Sequence, residues 1–183
     1  MRYEAGETVD YTVTFLEMEA RPAYPRPSVP SRPRLALLKA EDAPVRHFLD
    51  LYRAVGADWE WNDRLRQPRA EVEAFVSDPA VVLYTLMVKG WTGGFFMLDH
   101  REEGTTDLAY FGLVPEAGGQ GLGTWLLQTA IHAGWDIPGT RRMSVNTCTL
   151  DHPRALPLYQ KHGFAPVRQK TAQMVLSAPR DIT

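Results

Sequence analysis

The sequence predicts an α/β domain built around one sheet, with an additional strand and a proline-rich segment at its N-terminus. Three observations lead to this fold class. Short runs of β-branched and aromatic residues alternate with amphipathic segments of helical period. The chain has 183 residues, of which 44% are hydrophobic, which is enough for one packed core. A glycine cluster at residues 118–124 stands directly before a leucine-rich helical segment.

The first 33 residues predict a strand and an extended arm. Val9, Tyr11, Val13 and Phe15 alternate with polar residues, which is typical of a half-buried strand that continues to Met18. Residues 21–33 contain five of the fourteen prolines, so we expect an extended, solvated connector with polyproline character. Its arginines could alternatively contact a phosphate.

The remaining elements follow as a strand, two helices, three strands, a helix, a strand, a helix and a last strand. Apolar periodicity and turn residues place them at 35–40, 43–55, 68–76, 81–88, 93–100, 107–114, 122–135, 143–150, 153–162 and a final strand that ends at Leu176. No internal repeat is visible.

The stretch GGQGLGTWLLQ, residues 118–128, raises the question of a phosphate-binding turn. A dinucleotide-binding fingerprint needs glycine at position 124, and a P-loop needs lysine there, but the residue is Thr124. What remains is a row of free N–H groups at a helix start, which forms an anion site. A flexible turn ahead of a core helix is the alternative.

Composition bounds the function classes. The formal net charge is −2, so no basic field indicates nucleic acid or an anionic membrane as a partner. One cysteine, Cys148, and five scattered histidines offer neither a disulfide framework nor a zinc-site spacing, and a reducing cytoplasm is expected. The acidic N-terminus and the lack of a long apolar run predict a soluble protein without signal peptide or membrane span.

Two motifs resemble those of a known family. LVPEAGGQGLGTWLL resembles the acyl-coenzyme A binding motif of the GNAT superfamily of N-acyltransferases, and TLDHPRALPLYQKHGF resembles its second signature, in which a tyrosine precedes Gly-Phe. The resemblance covers most of residues 35–176. It implies a GNAT-like mixed central sheet flanked by helices within residues 34–183, acetyl-coenzyme A as cosubstrate, no metal, and direct acetyl transfer to a primary amine.

The resemblance also implies where coenzyme A binds. The glycine turn would wrap the pyrophosphate, and a strand that diverges from its neighbour would pair with the pantetheine arm. Gly118 replaces an arginine or glutamine of many members, so another cation could be needed. His152 replaces an asparagine and could bond the pantetheine or cap a helix. The cofactor-binding residues are then Phe111, Gly112, Leu113, Gly119, Gln120, Gly121, Leu122, Gly123, Thr124 and His152.

The catalytic candidates are Tyr159 and Asp107. The resemblance gives Tyr159 the role of proton donor to the leaving thiolate, and the alternative is a ring that only packs beneath the coenzyme. Asp107 begins the strand before the glycine turn, where some members carry a glutamate base, and the alternative is an exposed strand-end carboxylate. An acyl-cysteine on Cys148 is disfavoured relative to a buried core cysteine.

The acceptor side is predicted from ADWEWNDRL, in which Asp58, Glu60 and Asp63 interleave with two tryptophans. Aromatic faces with carboxylates suit a cationic amine, and the alternative is tryptophans that pack on the sheet among solvated acids. The substrate-binding candidates are Trp59, Trp61, Asp63, Tyr110 and Thr147.

Two further hypotheses concern the arm and the activity. Because the strand at residues 9–18 lies outside the usual family core, we expect it to cover a sheet edge or to pair with a second subunit, as in a homodimer. A catalytically idle acyl-coenzyme A sensor is the alternative to an enzyme. A nucleotide-phosphate protein is disfavoured by the failed spacings.

Overall fold

A computed structural model describes residues 1–182, which form nine strands, five helices and two short 3₁₀ turns. The strands are β1 (Arg2–Tyr3), β2 (Thr8–Met18), β3 (Leu35–Lys39), β4 (Val81–Val88), β5 (Trp91–Asp99), β6 (Thr105–Leu113), β7 (Arg142–Cys148), β8 (Ala165–Val175) and β9 (Arg180–Asp181). The helices are α1 (Val45–Gly56), α2 (Asp63–Arg66), α3 (Arg69–Val76), α4 (Leu122–Trp135) and α5 (Ala155–Lys161). Within residues 1–182 none of the helices has the length and hydrophobicity needed to cross a bilayer.

Seven strands make one mixed sheet in the order β3-β4-β5-β6-β7-β2-β8, and β1 pairs separately with β9. β6 and β7 run parallel, whereas the other neighbours in the sheet are antiparallel. Helices cover both faces, because the strands between β4 and β7 carry apolar residues on both sides. The predicted mixed sheet flanked by helices, with an extra N-terminal strand, is confirmed.

The extra strand β2 lies inside the sheet, so the expectation that it covers an edge is wrong. It pairs with β7 from Val13 to Met18 and with β8 from Thr8 to Glu17. Leu16 and Met18 are buried on one face, and Val9 is buried on the other. Because both of its edges are bonded to strands of the described chain from Val13 to Glu17, this part of β2 has no free edge for a second subunit.

The helices divide the molecule into two cores. α4 and α5 pack on one face of the sheet, here called the α4 face, against residues such as Leu16, Leu98 and Leu108. α1 and α3 pack on the other, the α1 face, against residues such as Leu83 and Phe95. Each face buries a separate apolar cluster, and side chains that alternate along β6 and β7 therefore point into different compartments.

The proline-rich arm, residues 21–33, is extended as predicted, but it is packed along α4 and is not a freely solvated connector. The Trp125 indole N–H donates to the Ser28 carbonyl at 3.0 Å. Arg21 and Arg26 both pair with Asp136 just beyond the end of α4. Because α4 is apolar nearly all round, one side contacts the sheet and the arm covers the other.

Candidate active site

The central feature of the site is a split between β6 and β7. The two parallel strands pair only where Thr105–Asp107 face Arg142–Ser144. Beyond that point β6 continues to Leu113 paired with β5 but no longer with β7, while β7 stays bonded to β2 as far as Cys148. The backbone groups on this side of β6 therefore lack a strand partner among the described residues. Phe111, Gly112 and Leu113, the residues predicted to bond pantetheine, lie on this unpaired stretch.

The glycine turn stands at the far end of the split and starts α4. Gly119 and Gly121 adopt φ angles of +72° and +74°, a left-handed backbone that favours glycine. A Cβ at either position would meet nothing within 4 Å, so the turn opens toward solvent. Within residues 1–182, no group accepts a hydrogen bond from the N–H of residues 119–121, and Leu122, Gly123 and Thr124 add the unpaired amides of the first helical turn. The predicted anion-binding residues therefore form one continuous row of free backbone amides, while the Gln120 side-chain amide donates to the Glu116 carbonyl at 3.3 Å.

Asp107 lies at the point where β6 and β7 separate. Its carboxylate accepts a hydrogen bond from the Ser144 hydroxyl at 2.6 Å, and it forms no ion pair with a cation of residues 1–182. Burial raises the pKa of the Asp107 carboxyl to about 6, the nearby Asp99 and Glu102 add to the rise, and the Ser144 hydrogen bond opposes it. Asp107 is thus a desolvated carboxylate with a pKa suited to accepting a proton near neutrality.

Tyr159 approaches the split from α5, on the α4 face. Its ring packs edge-on against Phe111 and Phe164, with centroids 6.2 and 6.0 Å apart. The residue is 6% exposed. Burial, followed by the negative charges of Asp151 and Asp107, raises the pKa of the Tyr159 phenol above its ordinary value. The hydroxyl consequently stays protonated over the working pH range.

Trp61 forms one wall of the site on the α1 face. Its ring packs against Tyr52 and Tyr110, with centroids 5.4 and 5.7 Å apart. The close fit requires glycine at position 56, since a Cβ there would lie 2.3 Å from the Trp61 side chain. The Trp61 indole N–H donates to Asp151 at 3.1 Å, which joins the loop after α1 to the loop after β7.

A second contact joins the same two loops. The Trp59 ring lies against the His152 ring, with centroids 5.1 Å apart. His152 Nδ1 also accepts the backbone N–H of Arg154 at 3.1 Å, a bond within the turn before α5, whose N-terminus has no side-chain cap. Burial and the charge of Arg154 lower the pKa of the His152 imidazole, so the ring is neutral at pH 7.

Asp151 is a residue of the site that the sequence reasoning missed. Its carboxylate accepts the Thr147 hydroxyl at 2.7 Å and the Cys148 backbone N–H at 2.8 Å, besides the Trp61 indole. The buried Thr147 hydroxyl is therefore committed to Asp151. An aspartate after a strand is usual in a turn, so the sequence carries no signal that would distinguish this one.

The acidic cluster after α1 differs from the expectation in one respect. Glu60 is buried and bonds the Ser177 hydroxyl at 2.7 Å, its backbone N–H, and the Asn62 amide, so it links the loop to the C-terminal segment and is not a free acid. Asp63 is exposed, which agrees with the alternative of a solvated acid.

One predicted acceptor residue, Tyr110, already bonds a cation. The Arg64 guanidinium lies 4.0 Å from the Phe75 ring centroid and donates to the Tyr110 hydroxyl at 2.7 Å. A substrate ammonium would therefore compete with Arg64 for this position.

Cys148 is chemically quiet. Burial, followed by the neighbouring Asp151 charge, raises the pKa of its thiol to about 11. A neutral thiol is a poor nucleophile, so the geometry favours direct transfer over an acyl-cysteine.

An open cavity of about 620 Å³ lies on the α1 face beside Asp107. Its floor is the sheet, with Ser144 and Asn146 of β7 and Phe15 and Glu17 of β2. None of the glycine-turn residues lines this cavity. The anion turn and the cavity therefore lie at opposite ends of the split, with Asp107 at the cavity end. Within residues 1–182, no group of three or more His, Cys, Asp or Glu side chains is placed to hold a metal ion.

Solved structures and a family model both relate this chain to acetyltransferases. A search of curated proteins found no match. Among solved structures, the chain is similar to a GCN5-related N-acetyltransferase from Kribbella flavida, with 15% identity and a TM-score of 0.59 over 88% of this chain and 56% of that one. It is also similar to a GCN5-related N-acetyltransferase from Sphaerobacter thermophilus, with 16% identity and a TM-score of 0.60 over 94% of this chain and 52% of that one.

A third similar structure is an aminoglycoside acetyltransferase from an uncultured soil metagenomic sample, with 14% identity and a TM-score of 0.56 over 70% of this chain and 86% of that one. The chain spans little more than half the length of the first two proteins, and at these identities the likeness concerns the fold. The model of the acetyltransferase (GNAT) family matches residues 48–164, which is more than half of the chain and includes the split, the glycine turn and α5. The chain belongs to the GNAT acetyltransferase family.

Proposed function

We propose that this protein transfers an acetyl group from acetyl-coenzyme A to a primary amine by direct attack. The observation that carries the proposal is the β6–β7 split, which has a row of free amides at one end and a desolvated carboxylate at the other. Anions bind at such helix N-termini, and a carboxylate with a pKa near 6 is a suitable general base.

The residues present fit coenzyme A. The free amides of residues 119–124 suit its pyrophosphate, and the open side of Gly119 and Gly121 leaves room for it. The unpaired backbone of Phe111, Gly112 and Leu113 suits the amide-rich pantetheine arm, in the manner of an added strand.

The chemistry divides between two residues. The amine nitrogen attacks the thioester carbonyl, a C–N bond forms and the C–S bond breaks. Asp107 takes the proton that the attacking amine loses, and the Tyr159 hydroxyl gives its proton to the departing thiolate. Their positions support this division, because Asp107 points to the α1 face with the open cavity, whereas Tyr159 lies on the α4 face near the glycine turn.

Ligand-induced stabilisation tests the cosubstrate. At a concentration of about 100 times Kd, acetyl-coenzyme A should stabilise the protein by about 2.7 kcal/mol, which corresponds to roughly 5–10 °C for a chain of this size. ATP at the same concentration should produce a much smaller shift. Stabilisation by ATP alone would overturn the proposal.

The second candidate function is a non-catalytic acyl-coenzyme A sensor. It predicts the same stabilisation but no thiol release when an amine is added. The raised pKa of Asp107 argues against it, because keeping a carboxylate desolvated costs stability and has no use in a protein that only binds the coenzyme.

A further inference from the structure

The cavity beside Asp107 carries an unusual pattern of paired and unpaired charges. Apart from Asp107, its acids each have an arginine partner. The N···O distances are 2.7 Å for Asp99 with Arg101, 3.0 Å for Glu102 with Arg142, and 3.8 Å for Glu17 with Arg142. Glu102 and Glu17 share Arg142, so these three acids are only partly neutralised, and Asp107 is the lining acid that lacks a cation within the described chain.

One cation that lines the cavity, Arg168 on β8, lacks an acidic partner among residues 1–182. Its guanidinium lies 3.8 Å from the centroid of the Phe15 ring, which holds it over the sheet on the α1 face. Within residues 1–182 it forms no ion pair with an acid. A guanidinium stacked on a ring keeps its N–H edges free to bind an anion in two places at once.

Lys170 strengthens the positive charge on this side. It stands opposite Val13 in the β2–β8 register, two residues beyond the Arg168–Phe15 pair, and so shares the α1 face with Arg168. It likewise has no acidic partner among residues 1–182. Arg168 and Lys170 therefore make the β8 side of this face cationic, and the Asp107 carboxylate lies on the β6 side.

The register sets the distance between the two ends. Asp107 faces Ser144, and Ser144 faces Glu17, so Phe15 lies two strands away from Asp107 and two residues along. With strands about 4.8 Å apart and about 3.3 Å per residue, the Cα atoms of Asp107 and Phe15 are roughly 12 Å apart. Both side chains stand on the same face of the sheet and Arg168 lies over the Phe15 ring, so the carboxylate and the guanidinium are separated by a similar distance. Subtracting a hydrogen bond of about 3 Å at each end leaves about 6 Å between a substrate nitrogen at Asp107 and an anion at Arg168.

We propose that the acceptor is an amine that also carries an anionic group several bonds away, with Arg168 as the residue that binds this anion. The inference rests on the proposed acetyl transfer and names its substrate class. It replaces the expectation of a purely cationic amine, because the Tyr110 hydroxyl is bound to Arg64 and the buried Glu60 is bound to Ser177. An α-amino acid is too short to reach both groups, whereas a chain of four or five methylene groups spans the gap.

Two matched ligands test the proposal. 6-Aminohexanoate carries the anion, and 6-aminohexanamide has the same length without the charge. With coenzyme A present, titration calorimetry should give 6-aminohexanoate about tenfold tighter binding, which is the size expected of a hydrogen-bonded ion pair at a partly exposed site. The amino acid glycine should show no such advantage over its amide.

Variants assign the effect to a residue. Arg168→Gln should weaken 6-aminohexanoate about tenfold and leave the amide unchanged, and Lys170→Gln should have a smaller effect in the same direction. Lys39→Gln, an exposed cation on the opposite edge strand β3, is the matched control and should change neither. Equal binding of the two ligands to the wild type, no binding of either, or an equal loss of both in Arg168→Gln would overturn the proposal.

The acetyl-transfer readout separates this inference from the proposed function. If both ligands are acetylated with the same kcat/KM, the protein is an acetyltransferase and the anion preference is wrong. If 6-aminohexanoate binds through Arg168 but no thiol is released from acetyl-coenzyme A, the binding site stands and the proposed reaction is wrong.

Discussion

Replacing Asp107 with asparagine should remove most of the activity and stabilise the folded protein at neutral pH. The substitution keeps the size of the side chain and an acceptor for the Ser144 hydroxyl, which lies 2.6 Å from the carboxylate. Asparagine carries no charge to desolvate, so burial no longer costs free energy. Loss of a general base commonly lowers the rate by about 10²- to 10⁴-fold.

The pKa sets both the size and the pH window of the stability gain. Folding raises the pKa of Asp107 from 3.8 to about 6. The folded state thus binds this proton more tightly, and the stability it contributes is full below pH 3.8 and lost as the pH rises through about 6. The difference between the two pKa values corresponds to a gain of at most about 3 kcal/mol in the free energy of unfolding of Asp107→Asn at pH 7, or up to about 10 °C in Tm.

Thermal unfolding of wild type and Asp107→Asn between pH 4 and pH 8 measures this gain. The variant should melt higher at pH 7.5, and the gap should close near pH 4. Asp99→Asn is the matched control, for which we expect a loss of stability. Burial opposes ionisation of Asp99, but hydrogen bonds from Arg101 prevail and lower the pKa of its carboxyl. This variant should therefore be less stable than the wild type at pH 7.5. A destabilised Asp107→Asn protein, or a gain that does not change with pH, would refute the reasoning.

Three further substitutions test other parts of the site and fold. Tyr159→Phe should lower kcat at least tenfold with little change in acetyl-coenzyme A affinity, measured by steady-state kinetics and thermal shift, because only the proton donor is lost. Gly121→Ala should cost about 1 kcal/mol of stability and raise KM for acetyl-coenzyme A severalfold, because φ is +74° and the amides would move. Leu16→Ala, at the fully buried centre of β2, should cost about 2–5 kcal/mol in chemical denaturation; a loss below 1 kcal/mol would contradict a structural role for β2.

The order of elements and the glycine turn could be predicted because each depends on local sequence. The alternation of Val9, Tyr11, Val13 and Phe15 indicates a strand whatever its neighbours are. The position of that strand could not be predicted in this way, since β2 pairs with residues at least 125 positions away. Periodicity reports which residues share a face and carries no information about partners.

In the site, too, the features that depend on local sequence could be predicted and those that depend on long-range contacts could not. Tyr159 and the glycine turn belong to continuous motifs, and the sequence pointed to them directly. Asp107 looked like an exposed strand end, because its burial comes from the neighbouring strands and its bond to Ser144. Asp151 belongs to the site because it bonds Trp61 of the loop after α1, and Arg168 because the β2–β8 register places it opposite Phe15. Sequence spacing reveals neither contact.

Thiol release from acetyl-coenzyme A, measured with and without a primary amine across pH 5 to 9, tests the central claim most directly. Transfer with Asp107 as base predicts release that requires the amine, that increases as the pH rises through about 6, and that is lost in Asp107→Asn while coenzyme binding is retained. Binding of acetyl-coenzyme A with no amine-dependent release by the wild type, or equal release by Asp107→Asn, would contradict it.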